Sequence, residues 1–200
     1  MASSSLRLFA WDSGTTLAPL IIPVRSKETP ENAAFRYLYE LSHDPCLIEL
    51  FEGSAPQIPL RGFHELSSKD WEPRLLMIAN LPQDYGLQSG RIIGFQKVFE
   101  SAQQKSFILP INANLGLSEQ ETLEFFKLIS EHFPFMIAMG GDDVDPALYK
   151  TQNSHCRKIS PTRDQFEYSL VQNYIAEEKG FLLGVDRKST RLNSSHTDIS

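Results

Sequence analysis

FMIAMGGDDVDPALY, residues 135 to 149, decides the fold. Phe135 to Met139 form an apolar run without polar alternation, the pattern of a strand covered on both faces. Gly140 and Gly141 follow at once. Without side chains they let the backbone turn sharply and aim N–H groups at a ligand, as an oxyanion needs, although such a pair also serves as an ordinary tight turn. Asp142, Asp143 and Asp145 then offer hard oxygen ligands for a divalent cation. Equally, Asp caps the short helix that Pro146 opens.

Outward from this stretch, strand and helix patterns alternate. RLLMIANL (74–81), SFILPI (106–111) and FLLGV (181–185) repeat the apolar strand signature. Between them, Ile92, Phe95, Phe99 and Ala102 fall on one face of a helix near 90–104. Ser118 and Glu121 have the spacing of a capping box, opening a helix with Leu123, Phe126, Ile129 and Phe133 on a shared face. Phe166, Leu170 and Tyr174 recur at four-residue steps in a helix that Gly180 stops. The alternation, without hairpin signals, predicts βαβ units and a parallel sheet covered on both faces, with ligands gathering at the carboxyl ends of the strands.

Residues 1–73 are less regular and are read as a separate N-terminal α/β segment of unknown role, with a boundary near Trp71. They hold a strand from Pro19 to Val24, then a helix with Thr29 as N-cap and Pro30 in its first turn, whose apolar face is Phe35, Leu38 and Leu41. A second strand is expected over 46–53.

The chain has 200 residues, 41% hydrophobic and 22% charged, with a formal net charge of -6. That is a globular composition, and scattered basic residues on an acidic chain argue against nucleic acid as a partner. MASSSLRLFAWDSG lacks the apolar core of a signal peptide, and LAPLIIPV is too short and Pro-broken to span a bilayer. No membrane partner is expected. Two cysteines, Cys46 and Cys156, stand without metal-ligand spacing, which suits a cytoplasmic protein. Cys46 reads as core, and Cys156, between His155 and Arg157, as a loop residue. His43, His64 and His132 fall at helix ends or in loops.

Taken together, the loops resemble those of class I glutamine amidotransferase-like hydrolases, in the gamma-glutamyl-gamma-aminobutyrate hydrolase (peptidase C26-like) branch. The pattern GG-x-D-V-x-P-x-x-Y is matched by Gly140, Gly141, Asp143, Val144, Asp145, Pro146, Leu148 and Tyr149, and R-D-x-x-E by Arg163, Asp164, Phe166 and Glu167. Leu183, Gly184 and Val185 begin L-G-x-C-R-G. Upstream, SAQQKSFILP is similar to A-A-G-G-x-P-x-x-L-P, with Gln103 and Gln104 in place of the glycines and Ser106 in place of the first proline. Residues 74–185 would accordingly be the front half of a class I glutamine amidotransferase-like domain, a three-layer flavodoxin-like α/β parallel sheet incomplete at its C-terminus. The resemblance implies hydrolysis of a small-molecule gamma-glutamyl amide or glutamine through a cysteine thioester, without cofactor or metal. It puts Gly140, Gly141, Asp143, Asp145 and Pro146 in the oxyanion and substrate loop, and Arg163, Asp164, Glu167 and Gly184 in support.

The nucleophile position holds Asp186, and Lys188 stands where the second elbow glycine belongs. A carboxylate is a far poorer nucleophile toward an amide than a thiolate. Residues 186–200 have no apolar face and resemble non-native tails at broken ends of coding sequences, so His196 is not expected to act as a base. The expectation is a chain without the catalytic residues, its FLLGV strand left partly uncovered. Two alternatives remain open: a pseudoenzyme that binds a gamma-glutamyl ligand without cleaving it, and a flavodoxin-like domain binding Mg through Asp142, Asp143, Asp145 and Asp186.

Overall fold

Leu75, Leu76, Met77 and Ile78 are all buried, because their strand has a neighbour on each side and helices over both faces. The computed structural model describes residues 5–12, 18–42, 62–67, 73–79, 89–110, 115–139, 144–152, 159 and 161–185. Within them lie β1 (Leu6–Trp11), β2 (Leu20–Arg25), α1 (Pro30–Ser42), β3 (Phe63–Glu65), β4 (Leu75–Ala79), α2 (Ser89–Ser101), β5 (Ser106–Pro110), α3 (Glu119–His132), β6 (Phe135–Ala138), a single 3-10 turn (Pro146–Tyr149), α4 (Pro161–Ala176) and β7 (Phe181–Gly184). The strand expected over 46–53 and the boundary near Trp71 fall outside the described residues.

All seven strands join one sheet in the order β3-β1-β2-β5-β4-β6-β7. The four from β4 onward are mutually parallel, with Leu76 opposite both Phe107 and Met136, and Met136 opposite Leu182. In chain order they read second, first, third, fourth, which is the flavodoxin-like arrangement. Right-handed crossovers put α2 on one face and α3 and α4 on the other. Side-chain contacts agree: Phe107 meets Phe133, which follows α3, edge to face at 5.7 Å, and Phe126 of α3 meets Phe166 of α4 at 5.2 Å. The connections after β4 and β6 therefore leave to opposite faces, opening a crevice at the carboxyl ends of these two strands.

The N-terminal segment supplies β1, β2 and β3 to this same sheet. β1 runs antiparallel to both β2 and β3. Pro23 interrupts no ladder, for β2 meets β5 only where Leu20 faces Ile108, and past that point the Pro23 carbonyl accepts from Arg36 Nη2 at 3.1 Å. Two arginines tie this segment to the start of α3. Arg36 pairs with Glu28 at 2.9 Å and also donates to the Leu115 carbonyl. Arg25 grips Glu121 through Nε at 2.6 Å and Nη2 at 3.0 Å, and donates to the Gly116 carbonyl at 2.7 Å. Glu121 is also the capping-box acid of α3, accepting from the Ser118 N–H at 2.8 Å.

The helices bear out much of the expected faces and correct three of them at single residues. Thr29 Oγ1 accepts from the Asn32 N–H at the start of α1, and Ile92, Phe126, Ile129, Phe133, Leu170 and Tyr174 are buried. Phe35 and Leu123 are exposed, as is Ala102 just past the end of α2, and the side chains of Leu38 and Leu41 lie outside the described residues. α1 instead presents Ala33 and Ala34 to the core, small residues that let it lie close to β2, and α3 uses Phe125. In β7, Phe181 and Leu183 are 75% and 54% exposed, since α4 covers the other face of this edge strand. Phe181 stacks on Phe135 at 5.8 Å. Tyr174 locks the end of α4 by donating to the Phe133 carbonyl at 2.8 Å, and burial pushes its phenol up to about 12.

α2 ends in a Schellman motif: the Gln104 N–H bonds the Phe99 carbonyl at 2.8 Å, and the Gln103 N–H bonds that of Glu100 at 3.0 Å. Gln103 takes the left-handed conformation, φ 56°, at one of the two positions where the resembling pattern has glycine. Gln103→Gly should raise stability by about 0.5–1 kcal/mol, read as a higher urea midpoint at unchanged m, because glycine pays no Cβ penalty there. An unchanged or lower midpoint would contradict this.

A second expectation concerns acid. The Arg25 hydrogen bond lowers the Glu121 carboxyl to about 2, from an ordinary value of 4.5, against the opposing effect of burial and with help from Ser118. A depressed carboxylate stabilises the fold fully above its unfolded value and loses that contribution as pH falls through its folded value. Wild type should therefore lose more stability between pH 6 and pH 3 than Glu121→Gln, measured by urea midpoints. Equal losses would contradict this role for the pair.

Candidate active site

β6 carries the chain to the crevice. The Met139 N–H donates to the Ile78 carbonyl at 3.2 Å, holding the strand end against β4. Gly140, Gly141, Asp142 and Asp143 lie outside the described residues. The chain is described again from Val144, where Asp145 is fixed twice. Its N–H donates to Asp164 Oδ2 at 2.9 Å, and its Oδ1 accepts from the Ala147 N–H at 2.9 Å. The second contact caps the 3-10 turn, with Pro146 buried at its first position. Of the two sequence readings of Asp145, the cap is the geometry observed.

α4 brings two carboxylates to the interior. Asp164 is 1% and Glu167 4% exposed, three residues apart on one helix face. Asp164 sits in the first turn of α4, where the positive end of the helix dipole and the N-terminal N–H groups favour a negative charge. Of Arg163 only the backbone is described, within α4.

β7 brings a third part of the expected site to the same end of the sheet. Gly184 pairs with Ala138, and the Val185 N–H donates to the Ala138 carbonyl at 2.9 Å. β6 and β7 thus end side by side, the one followed in sequence by the glycine pair and the other by position 186. Asp186 itself, His196, Cys46, Cys156 and His43 lie outside the described residues. His132 ends α3 with Nδ1 2.8 Å from the Leu128 carbonyl, and His64 is in β3 at the opposite edge of the sheet. Among the described residues no group of three or more His, Cys, Asp or Glu is placed to hold a metal ion. No described helix is long and apolar enough to cross a membrane.

A family model for peptidase C26 matches residues 93–195, more than half of the chain. The chain belongs to the peptidase C26 family. That makes it a member of a class I glutamine amidotransferase-like hydrolase family, in keeping with the flavodoxin-like sheet. The match spans α2 to β7 and runs on past Val185, so the glycine pair, the buried carboxylates and position 186 all fall inside it. No curated protein sequence matches the chain.

Sequence reasoning missed the interplay between Asp145 and Asp164. The available signal was the pairing of D-P before a short turn with R-D at a helix start, since each leaves a polar group that needs a partner.

Proposed function

We propose that the crevice at the carboxyl ends of β4 and β6 is built for a gamma-glutamyl amide or glutamine, in the manner of a gamma-glutamyl-gamma-aminobutyrate hydrolase, in a cytoplasmic protein. The observation that supports the reading is the Val185 N–H on the Ala138 carbonyl, which sets the carboxyl ends of β6 and β7 side by side. With a cysteine there, the thiolate attacks the side-chain carbonyl and the backbone N–H groups of Gly140 or Gly141 receive the oxyanion. The amine leaves with a proton, and water then hydrolyses the thioester to the free gamma-carboxylate and the thiol.

Asp186 breaks this sequence at its first step. A carboxylate attached to the elbow does not form the thioester, so the chain with Asp186 binds its ligand without turning it over. Asp145 offers little to a cation while its carboxylate caps the 3-10 turn, which sets the Mg reading behind the gamma-glutamyl one.

Two proteins test this: the chain itself and its Asp186→Cys variant. Neither should release detectable ammonia or amine from glutamine or gamma-glutamyl amides, because a thiol without a base stays largely protonated near its ordinary pKa of about 8.5. Glutamine should nevertheless slow alkylation of the introduced thiol, mapped by mass spectrometry apart from Cys46 and Cys156, where alanine does not. Turnover by the Asp186 chain, or a thiol indifferent to glutamine, would overturn the proposal.

A further inference from the structure

We infer that Asp164 is the positioning residue that fixes the exit of the glycine loop, an inference that rests on reading that loop as the gamma-glutamyl site. The segment from Gly140 to Val144 is bracketed by two anchors. One is the Met139 N–H on the Ile78 carbonyl, and the other is the Asp145 N–H on Asp164 Oδ2. The first belongs to the sheet and comes with any parallel strand pair. The second is made by a side chain, and it spans 19 residues of sequence.

A buried carboxylate is costly unless hydrogen bonds hold it, and an apolar residue in its place would suit the interior of α4 better. Asp164 is nevertheless 1% exposed. What it gains is a donor, the Asp145 N–H, which the residue's own side chain leaves to it by turning toward Ala147. The anchor is rigid. Phe166 packs on Phe126, Leu170 is fully buried, and Tyr174 is bonded to the Phe133 carbonyl, so α4 carries Asp164 as a fixed point against α3 and β6. Oxyanion donors act only if held in place before the reaction, which is what an acceptor on a packed helix supplies.

Amide hydrogen exchange by NMR on the 200-residue chain tests this, with Asp164→Ala and Asp164→Asn compared with wild type and glutamine binding followed in parallel. Asp164→Ala should speed exchange of the Asp145 amide by about tenfold or more, the loss of a hydrogen bond to a charged acceptor. Met77 and Ile137 should stay within about twofold. Asp164→Asn keeps an oxygen in place and should restore most of the protection, with the Asp145 proton moved upfield as the charge-assisted bond becomes neutral. Glutamine affinity should fall further in the Ala variant than in the Asn variant. Unchanged Asp145 exchange in Asp164→Ala, or acceleration spread evenly over the core in both variants, would overturn the inference. If Asp164→Ala does not fold, an unshifted Asp145 proton in Asp164→Asn overturns it. Wild type that binds no glutamine but shows the local exchange pattern would sink the gamma-glutamyl reading and leave the anchor standing.

Discussion

Burial of β4 from both faces and both edges is the constraint on which the rest of the molecule depends. Parallel pairing with β5 and β6 leaves its side chains no exit to water, so Leu75 to Ile78 are apolar without interruption. The same pairing forces helical crossovers on opposite faces and opens the crevice at the strands' carboxyl ends. Chemistry is thereby confined to what the loops after β4, β6 and β7 can carry. Asp145 and Gly184 stand on those connections, and the Asp145 N–H is held by Asp164 of α4.

That stitching shows how the first part of the chain joins the family-matched part. β2 and β5 share little ladder, and the join is completed by side chains: Arg36 covers the Pro23 and Leu115 carbonyls, and Arg25 holds the capping-box acid of α3. Burial works against ionisation of Glu28, yet Arg36 and the Arg25 N–H outweigh it and keep its carboxyl below the ordinary range. Each arginine donates to a carbonyl that no strand reaches, while its charge is met by a glutamate. Such a joint fixes geometry through hydrogen bonds where neither strand pairing nor an apolar interface is available.

Much of this was legible in the sequence because apolar runs in a parallel sheet need no decoding. RLLMIANL, SFILPI, FMIAM and FLLGV each contain a strand, and Ser118 with Glu121 forms the capping box their spacing announced. The antiparallel β1 was missed although Asp12, Ser13 and Gly14 offered a turn signal between LRLFAW and LIIPVR. Phe35 and Leu123 were assigned to buried faces because a period near 3.6 admits more than one stripe. Packing chose Ala33 and Ala34 in one helix and Phe125 in the other. Burial of Asp164 and Glu167 was beyond pattern reading: a carboxylate is ordinarily placed in water, and the Asp145 N–H that Asp164 accepts from lies 19 residues away.

The central claim is that a gamma-glutamyl ligand sits at the carboxyl ends of β4 and β6, over the glycine pair. Titration of the isotopically labelled chain with glutamine, followed through backbone amide shifts, tests it directly. The account predicts saturable shifts concentrated at Met139 to Asp145, Ala79 and Val185, with Leu75, Ser106, Phe135 and Phe181 at the opposite ends of the strands unmoved. Shifts centred on those amino ends, or none at any concentration reached, would contradict it.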